Sequence, residues 1–410
     1  MIPLPLDEIA ALQLGELELD DGADQITGVQ VDSRRIVRGD LFVAIGEGER
    51  FRDDAYARGA VAALVPSDAF AAMAALGRAV RARSRARVVA ITGSYGKTTT
   101  KDILASIAIP QRPTVAAERS FNNEIGVPLT LCRLEPQTEI CITELAMRGF
   151  GQIAELAELT RPEIGVVVTI GPVHLEKVGT LEGVVRAKSE LLQALPSGGT
   201  AIVPADFPVE RDDLDVVRIG EDVRVESFDP PHLRTTLGEV EVSFAARHLA
   251  VNGLCALAAA RALGLELPPR LEVEFAGWRN QEQELAGGGL LINDAWNANP
   301  ISMRAALEHL RERAGDRRTV AVLGEMAELG DYAAEGHREV AAAIAEIAPD
   351  VVIAVGPLAR AYGGRSVPDR EAALELLREE LRPGDCVLLK GARVLQLEQL
   401  VDELVPVEAS

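Results

Sequence analysis

The chain has 410 residues, of which 48% are hydrophobic, 26% charged and 4% aromatic, and its formal net charge is −21. This length favours two or three domains, and the composition is typical of a soluble globular protein. The excess of acidic residues repels nucleic acid and anionic lipid, so neither is expected as a partner.

Four cysteines are scattered without a Cys-x-x-Cys pair, namely Cys132, Cys141, Cys255 and Cys386. Three of them lie in apolar runs, which indicates reduced, buried thiols in a cytoplasmic protein and argues against a zinc site. The N-terminal stretch carries acidic residues where a signal peptide has basic ones. No apolar run approaches the roughly 20 residues of a membrane span. We therefore expect a cytoplasmic protein without membrane insertion.

Residues 1–84 are predicted to form a small N-terminal α/β domain. Short strand-like runs alternate with turns in GVQVDSRRIVRGDLFVAIGEG, and AVAALV follows as another short apolar run. The stretch MAALGRAVRARSRAR then predicts a helical connector that ends near Arg85.

Residues 85–276 are predicted to form a central domain around a parallel sheet. Its strand-like runs RVVAITG, EICITEL, EIGVVVTIG and TAIVPA alternate with helical stretches, a pattern typical of a sheet covered on both faces. The stretch VESFDPPHLRTTLGEVEVSF interrupts this pattern and predicts an antiparallel insert before the helix HLAVNGLCALAAARALGL.

Residues 277–410 are predicted to form a second α/β unit, of Rossmann type. The strand-like runs LLIND, RTVAVLG, DVVIAVG and DCVLLKG again alternate with helical stretches. The segment lacks the glycine fingerprint of a dinucleotide site, so the pattern predicts the fold and not a dinucleotide.

The stretch ITGSYGKTTT, residues 91–100, joins a buried strand to a helix. Its glycines allow a tight loop whose N–H groups approach phosphate, its lysine can reach the terminal phosphates, and a threonine hydroxyl can bind Mg²⁺. The loop is shorter than the standard P-loop, because Ile91 stands where the first glycine is expected. We interpret it as an ATP site, but the loop alone does not distinguish ATPase, kinase and ligase. The predicted ATP-binding residues are Gly93, Ser94, Gly96, Lys97, Thr98 and Thr99.

Five stretches follow this loop in order and resemble the Mur ligases of peptidoglycan synthesis: RSFNNEIGVPLTL, ITELAMRGFGQIAEL, TIGPVHLEKVGT, RAKSELL and NDAWNANPISM. The resemblance continues at DSRRIVRGDLFVAI, VLGEMAELG and LLKGARVLQLEQLV, and so covers essentially the whole chain. Within the family, FNNEIGVPLTL, NANPISM and GEMAELG are most similar to the member that joins D-alanyl-D-alanine to UDP-N-acetylmuramoyl-tripeptide. The resemblance implies a three-domain α/β ligase that activates a carboxylate as an acyl phosphate and releases ADP and phosphate. We also expect the chain to act as a monomer.

The resemblance also implies catalytic and metal-binding residues. Lys97 would stabilise the transferring phosphate, Thr98 and Glu144 resemble ligands of one Mg²⁺, and His174 resembles a ligand of a second. Lys188 matches the lysine that this family carbamylates, which would supply a further anionic ligand. This donor set suits Mg²⁺ or Mn²⁺. Taken singly, each of these side chains past the loop is more often solvated or packed, but their shared order favours the ligase.

Further contacts follow from the same resemblance. Asn252 resembles an adenine contact, Arg279 an arginine that reaches the ATP phosphates, and Asp294 an acid near the ribose. Asn252 shares a helix face with His248, and the alternative is an amphipathic helix with both polar residues on its exposed side. The predicted contacts of the UDP-muramoyl-peptide are Asp32, Ser33 and Arg34 for the UDP part, and Asn122 and Asn123 for the peptide arm.

Three residues depart from the family pattern: Tyr95, Trp296 and Ala392 stand where asparagine, tyrosine and serine are usual. None removes a group assigned to metal or phosphate. The alternatives are a Mur-type ligase with another amine or UDP-peptide, a P-loop phosphotransferase or ATPase, and a silent binding protein of the cell-wall machinery. The last is disfavoured because a protein that only binds has no need for the whole predicted set of metal ligands.

Overall fold

The computed structural model describes residues 1–20, 22–285 and 287–405. The chain divides into two compact units. The first comprises Met1–Val168, Ala187–Val242 and Asn252–Glu272, and the second comprises Thr169–Arg186, Ser243–Val251 and Val273–Ser410. The division into three domains with boundaries after residues 84 and 276 stays a prediction. No helix in the described ranges is long and apolar enough to cross a membrane.

A small four-stranded sheet lies within residues 1–84, where short strands alternating with turns were predicted. The strands of this segment are β1 (Leu4–Pro5), β2 (Gly15–Leu19), β3 (Gln25–Ile26), β4 (Gly28–Gln30), β5 (Asp40–Val43) and β6 (Ala62–Pro66). β1 and β3 pair antiparallel with each other as a separate two-stranded sheet. The helices are α1 (Leu6–Ala11), α2 (Arg52–Ala57) and α3 (Ala69–Arg83). The sheet order is β2-β6-β5-β4, with β2 antiparallel to β6 and the other pairs parallel. The connector helix α3 starts where the Asp68 carboxylate accepts the N–H groups of Phe70 and Ala71.

The central sheet has six strands, and every neighbouring pair is parallel, as predicted. The strands are β7 (Arg87–Thr92), β8 (Thr114–Ala116), β9 (Ile140–Glu144), β10 (Ile164–Val167), β11 (Thr200–Pro204) and β12 (Asp215–Ile219), in the order β12-β11-β10-β7-β9-β8. The helices are α4 (Lys97–Ala108), α5 (Gly126–Leu131), α6 (Gln152–Thr160), α7 (Leu175–Val178) and α8 (Leu181–Gln193). The middle strands are buried throughout, which explains their continuous apolar runs.

The predicted insert is a small sheet with antiparallel hairpins. Its strands are β13 (Val225–Asp229), β14 (His232–Thr235), β15 (Gly238–Val242) and β16 (Arg270–Leu271), and the first three pair antiparallel in sequence. The two-residue strand β16, which was not predicted, adds in parallel to β15. The predicted helix is α9 (Arg247–Ala262).

The C-terminal sheet is the predicted second α/β unit. The strands are β17 (Gln281–Leu285), β18 (Gly289–Asn293), β19 (Thr319–Gly324), β20 (Val351–Val355), β21 (Arg365–Val367) and β22 (Cys386–Lys390), in the order β17-β18-β22-β19-β20-β21. The helices are α10 (Pro300–Ala314), α11 (Ala333–Ile347), α12 (Arg370–Glu380) and α13 (Leu400–Leu404). Two apolar clusters cover the sheet, because successive residues such as Leu291 and Ile292 face opposite sides. The edge strand β17 is antiparallel, so the sheet is mixed.

Candidate active site

The loop between β7 and α4 has the geometry of a phosphate-binding turn. β7 and β10 are neighbours in the sheet, but the chain leaves β7 toward β8 at one edge and leaves β10 toward β11 and β12 at the other edge. In parallel α/β sheets, ligands bind at the carboxyl ends of two neighbouring strands that are connected in this way. Gly93 and Gly96 have φ angles of +155° and +81°, which side chains rarely adopt. α4 begins immediately afterwards at Lys97, so the N–H groups of its first turn and its positive dipole end face the loop.

The predicted ATP-binding residues of this loop therefore lie together in one turn of chain. The Lys97 ammonium donates a hydrogen bond to the carbonyl oxygen of Gly93 at 2.8 Å, which holds it over the turn. Thr98 and Thr99 are buried in the first turn of α4, whereas Ser94 is partly exposed in the loop. The positive charge and the backbone donors thus converge on one small region, as a bound polyphosphate requires.

Glu144 is a buried carboxylate at the carboxyl end of β9. It lies beside β7 because the parallel register pairs it with Ile91. Its side chain accepts hydrogen bonds from the Thr98 hydroxyl at 2.8 Å and from the Asn122 amide at 2.7 Å, and the residue is 1% exposed. Both donors are uncharged, so they compensate only part of the cost of burying a negative charge. The arrangement is suited to a cation at this carboxylate.

Lys188 lies in α8 and is 2% exposed. Burial, together with the charge of Lys97, lowers its pKa well below the ordinary value for lysine. A solvated helical lysine, the alternative from sequence, is therefore wrong for this residue. The lowered pKa favours the neutral amine, which is the nucleophilic form of lysine.

Asn252 in α9 braces the phosphate-binding loop. Its amide nitrogen donates to the Gly96 carbonyl oxygen at 3.1 Å and contacts the Thr100 hydroxyl at 3.2 Å. The residue is 5% exposed, so the alternative of an exposed polar face is wrong for Asn252. Its predicted contact with adenine stays a prediction.

The predicted substrate residues have local structural partners. The Asp32 carboxylate accepts a hydrogen bond from the Arg34 backbone N–H. It also accepts hydrogen bonds from Nε and Nη2 of the Arg34 guanidinium, at 2.9 and 2.7 Å. The Arg34 guanidinium holds the pKa of Asp32 at about 2. Ser33 is buried, and Asn123 accepts the N–H groups at the start of α5. Binding of a substrate by Arg34 would therefore compete with this ion pair.

His174 Nδ1 and Glu328 Oε2 lie within hydrogen-bonding distance of each other in the second unit, at 2.9 Å. Both residues have a left-handed backbone, with φ angles of +53° and +59°. A carboxylate on one ring nitrogen fixes the orientation of the other nitrogen, which is the usual support of a metal-binding histidine. Glu328 lies in the stretch GEMAELG, which resembles the family, but Glu328 itself was not predicted as a site residue.

Asp294 also lies in the second unit, directly after β18. Its carboxylate receives Lys390 Nζ at 2.5 Å and the Asn280 backbone N–H at 3.3 Å. Lys390 ends the buried strand β22 and is 2% exposed, and it is not among the site residues predicted from sequence. The signal was present, because a lysine that closes the apolar run CVLL has to be either paired or functional. Arg279 lies over the ring of Trp296, with its Cζ 5.1 Å from the ring centroid.

Across the described ranges, no group of three or more His, Cys, Asp and Glu side chains forms a ready-made metal site. The predicted ligands are of other kinds, since they include the Thr98 hydroxyl and a modified lysine. The buried pair of Thr98 and Glu144 offers the hard oxygen donors that Mg²⁺ prefers, although a full ligand shell would need water and substrate oxygens.

Comparison with known proteins agrees with this geometry. Residues 91–260 match the Mur ligase middle domain, and residues 279–393 match the Mur ligase, glutamate ligase domain. The chain is 34% identical to the UDP-N-acetylmuramoyl-tripeptide–D-alanyl-D-alanine ligase of Escherichia coli strain K12, over 98% of this chain and 99% of the relative. It is 33% identical to the ligase of the same name from Mycobacterium tuberculosis strain H37Rv, over 99% and 98%. A crystal structure of MurF from Acinetobacter baumannii superposes with a TM-score of 0.85 at 29% identity, covering 98% of each chain. The chain therefore belongs to the Mur ligase family.

Proposed function

We propose that this enzyme is the ATP-dependent ligase that joins D-alanyl-D-alanine to UDP-N-acetylmuramoyl-tripeptide. The products are UDP-N-acetylmuramoyl-pentapeptide, ADP and phosphate. The observation that carries the proposal is the loop of Gly93 and Gly96 with Lys97 at the start of α4, beside the buried pair of Thr98 and Glu144. Full-length similarity to ligases of this name supports the choice of substrates.

The chemistry explains why such a loop is needed. A carboxylate is a poor acylating agent, because the leaving group would be oxide. Transfer of the γ-phosphoryl group of ATP to the tripeptide carboxylate gives an acyl phosphate, from which the amine of D-alanyl-D-alanine expels phosphate. The first step brings two anions together, so it needs fixed positive charge and oriented donors.

The chain supplies both the fixed positive charge and the oriented donors. Lys97 is held over the loop by the Gly93 carbonyl oxygen at 2.8 Å, and this weak neutral acceptor is readily exchanged for a phosphate oxygen. The N–H groups at the start of α4 are fixed by the helix, so they need no reorganisation when charge develops. Asn252 holds the loop in shape through Gly96 and Thr100.

Thr98 and Glu144 would hold one Mg²⁺, and His174, oriented by Glu328, is the proposed ligand of a second. When bound, Mg²⁺ neutralises phosphate charge and polarises the oxygens of the transferring group. Mn²⁺ is the other ion that this donor set suits. Asn122 keeps the Glu144 carboxylate oriented through its 2.7 Å hydrogen bond.

Lys188 is proposed to act as a carbamate. Its lowered pKa favours the neutral amine, and a neutral amine attacks CO₂ at carbon and then loses a proton to give an anionic carbamate. This change gives a neutral, buried amine a negative charge near Lys97, which adds an attraction between the two side chains and provides a ligand for a metal ion. Mass spectrometry of the native chain should detect the mass of one added CO₂, and Lys188→Gln should abolish both the adduct and most activity. Full activity in Lys188→Gln would contradict the carbamate.

The remaining assignments are finer parts of the same proposal. ATP and a UDP-linked peptide are cytoplasmic substrates, so we expect the enzyme in the cytoplasm, and we infer that it acts as a monomer. Arg279, Asp294 and Asn252 are proposed contacts of the nucleotide. Asp32, Ser33, Arg34, Asn122 and Asn123 are proposed contacts of the UDP-muramoyl-peptide.

Phosphate release from ATP in the presence of Mg²⁺ tests the proposal. The assay contains UDP-N-acetylmuramoyl-tripeptide, with D-alanyl-D-alanine either added or omitted, and the product is weighed by mass spectrometry. Release that needs both substrates and yields the pentapeptide is expected. Release with another amine would indicate a different Mur-type ligase, and release that ignores any amine would indicate a phosphotransferase or ATPase.

A further inference from the structure

The two tryptophans of the chain lie against each other in the second unit. The rings of Trp278 and Trp296, called here the tryptophan pair, have centroids 5.7 Å apart and planes 16° apart, which is a stacked arrangement. Two arginines lie over these rings. The Cζ atom of Arg279 is 5.1 Å from the centroid of Trp296, and that of Arg393 is 4.5 Å from Trp278 and 5.5 Å from Trp296.

The hairpin of β17 and β18 brings the tryptophan pair together. Gln281 pairs with Asn293 at the open end of the hairpin, and the two chains stay side by side beyond it. The Trp296 backbone N–H donates to the Trp278 carbonyl oxygen at 3.2 Å. Residues 278–280 therefore run beside residues 294–296, and the ring contact follows from this alignment.

The backbone around Arg279 is strained. Trp278 and Asn280, on either side of it, have φ angles of +63° and +48°. A left-handed backbone is rare for a bulky residue, and it persists only where the surroundings fix it. Here the Trp278 N–H is held by the Gln281 side chain at 2.9 Å, and the Asn280 N–H by Asp294 at 3.3 Å.

Arg393 supports the tryptophan pair from another element. It follows β22 and pairs with the carboxylate of Glu398, which is 5% exposed. Its guanidinium lies within 6 Å of both ring centroids, the range in which a cation is attracted to a ring face. Two elements therefore hold the tryptophan pair in place: the hairpin of β17 and β18, and Arg393 after β22.

We propose that the tryptophan pair positions Arg279 for the phosphates of ATP. This inference rests on the proposed function, in which Arg279 contacts the nucleotide. A guanidinium lying over a ring uses its face for that contact, whereas its N–H donors lie in its own plane, so the ring contact and phosphate recognition are compatible. An arginine held in this way loses less conformational entropy when the nucleotide binds. The two tryptophans are positioning residues that act through Arg279.

The test is ADP affinity of the full chain, measured by titration calorimetry with Mg²⁺. The variants are Trp296→Leu, Arg279→Ala and the double variant. Trp296→Leu should weaken ADP binding about 10-fold, the effect of losing one partly buried cation–ring contact. In the Arg279→Ala background the same substitution should have no further effect, because its influence passes through Arg279. In turnover, the KM for ATP should rise in Trp296→Leu, while kcat changes little.

Two further variants keep the test decisive. Trp296→Phe retains a ring, so its ADP affinity should lie between those of the wild type and Trp296→Leu. This variant replaces Trp296→Leu in the test if the leucine variant does not fold. Phe275→Leu breaks a neighbouring ring pair with Phe244, whose centroid is 5.9 Å away, and should leave ADP affinity within about twofold of the wild type. ADP should also change the intrinsic tryptophan fluorescence of the wild type, since all of it comes from the tryptophan pair.

Equal losses from Trp296→Leu in both backgrounds would overturn the inference, because they would indicate a general structural role. Wild-type affinity in Trp296→Leu would overturn it as well. Both outcomes leave the proposed function intact, since that function is judged by dipeptide-dependent phosphate release. A wild-type chain that does not bind ADP at all would overturn the proposed function together with this inference.

Discussion

Substitution of Gly96 by alanine tests whether the phosphate-binding loop depends on its backbone geometry. The φ angle of +81° costs an alanine about 1–2 kcal/mol. The new Cβ would also lie 2.1 Å from the Asn252 amide nitrogen and 3.0 Å from Val168 Cγ1. Asn252 must then move and give up its contacts with Gly96 and Thr100, at about 1 kcal/mol each.

The sum is about 3–4 kcal/mol, which corresponds to a several-hundred-fold change if it falls on ligand affinity alone. If the loop shifts, ADP affinity falls; if the loop stays, the free energy of unfolding falls instead. Titration calorimetry with ADP and urea unfolding of the same preparation therefore measure the two parts. Their total is the quantity that the geometry predicts.

Two variants separate the causes. Gly264→Ala has a comparable φ angle of +74° but nothing within 4 Å of the new Cβ, so it should show only the backbone cost of about 1–2 kcal/mol. In an Asn252→Ala background, Gly96→Ala should add little more than the same backbone cost, because the amide and its two contacts are already absent. If Gly96→Ala and Gly264→Ala show the same changes in ADP affinity and in the free energy of unfolding, the overlap with Asn252 does not have the predicted cost.

Three further predictions concern titratable groups. Glu144→Gln should lower kcat at least about 100-fold while leaving thermal stability equal or higher, since a neutral amide is less costly to bury; phosphate release and thermal unfolding measure the two effects. The four cysteines are buried, and burial raises the pKa of each thiol to about 11 or 12, so a thiol reagent should react slowly with the native chain and rapidly with all four after denaturation. Burial lowers the pKa of His248 from 6.5 to about 4, so as the pH falls the imidazole is protonated in the unfolded chain before it is protonated in the folded chain. Stability should therefore fall by up to about 3 kcal/mol as the pH falls from 6.5 to 4, and urea unfolding at several pH values should show a weaker dependence in His248→Gln.

The parts predicted correctly from sequence are those with local signals. The loop from Gly93 to Thr99 was found because a buried strand, two glycines, a lysine and a helix follow one another without interruption. The alternation of strands and helices likewise indicated both large sheets, since the strands predicted from sequence are continuous apolar runs. The ion pair of Asp32 and Arg34 is also local, and it was missed only because both residues were considered as contacts of a substrate.

The contacts that build the site are not local. Glu144 reaches Thr98 because β9 lies beside β7, although β8 comes between them in sequence. Asn252 reaches Gly96 across 156 positions. Residue types alone do not specify such neighbours, because strand order is decided by packing of the whole sheet. In the same way, the polar edge strand β17, with the sequence QEQEL, is a strand only through its pairing with β18.

The most direct test of the central claim follows one oxygen atom. In the proposed reaction the tripeptide carboxylate receives the γ-phosphoryl group, so one carboxylate oxygen must leave with the phosphate. The tripeptide is labelled with heavy oxygen in its terminal carboxyl group, and the phosphate released in the presence of ATP, Mg²⁺ and D-alanyl-D-alanine is analysed by mass spectrometry. Transfer of one labelled oxygen to each phosphate is the predicted result. Phosphate without label would mean that ATP is hydrolysed without activating the carboxylate, and would contradict the account.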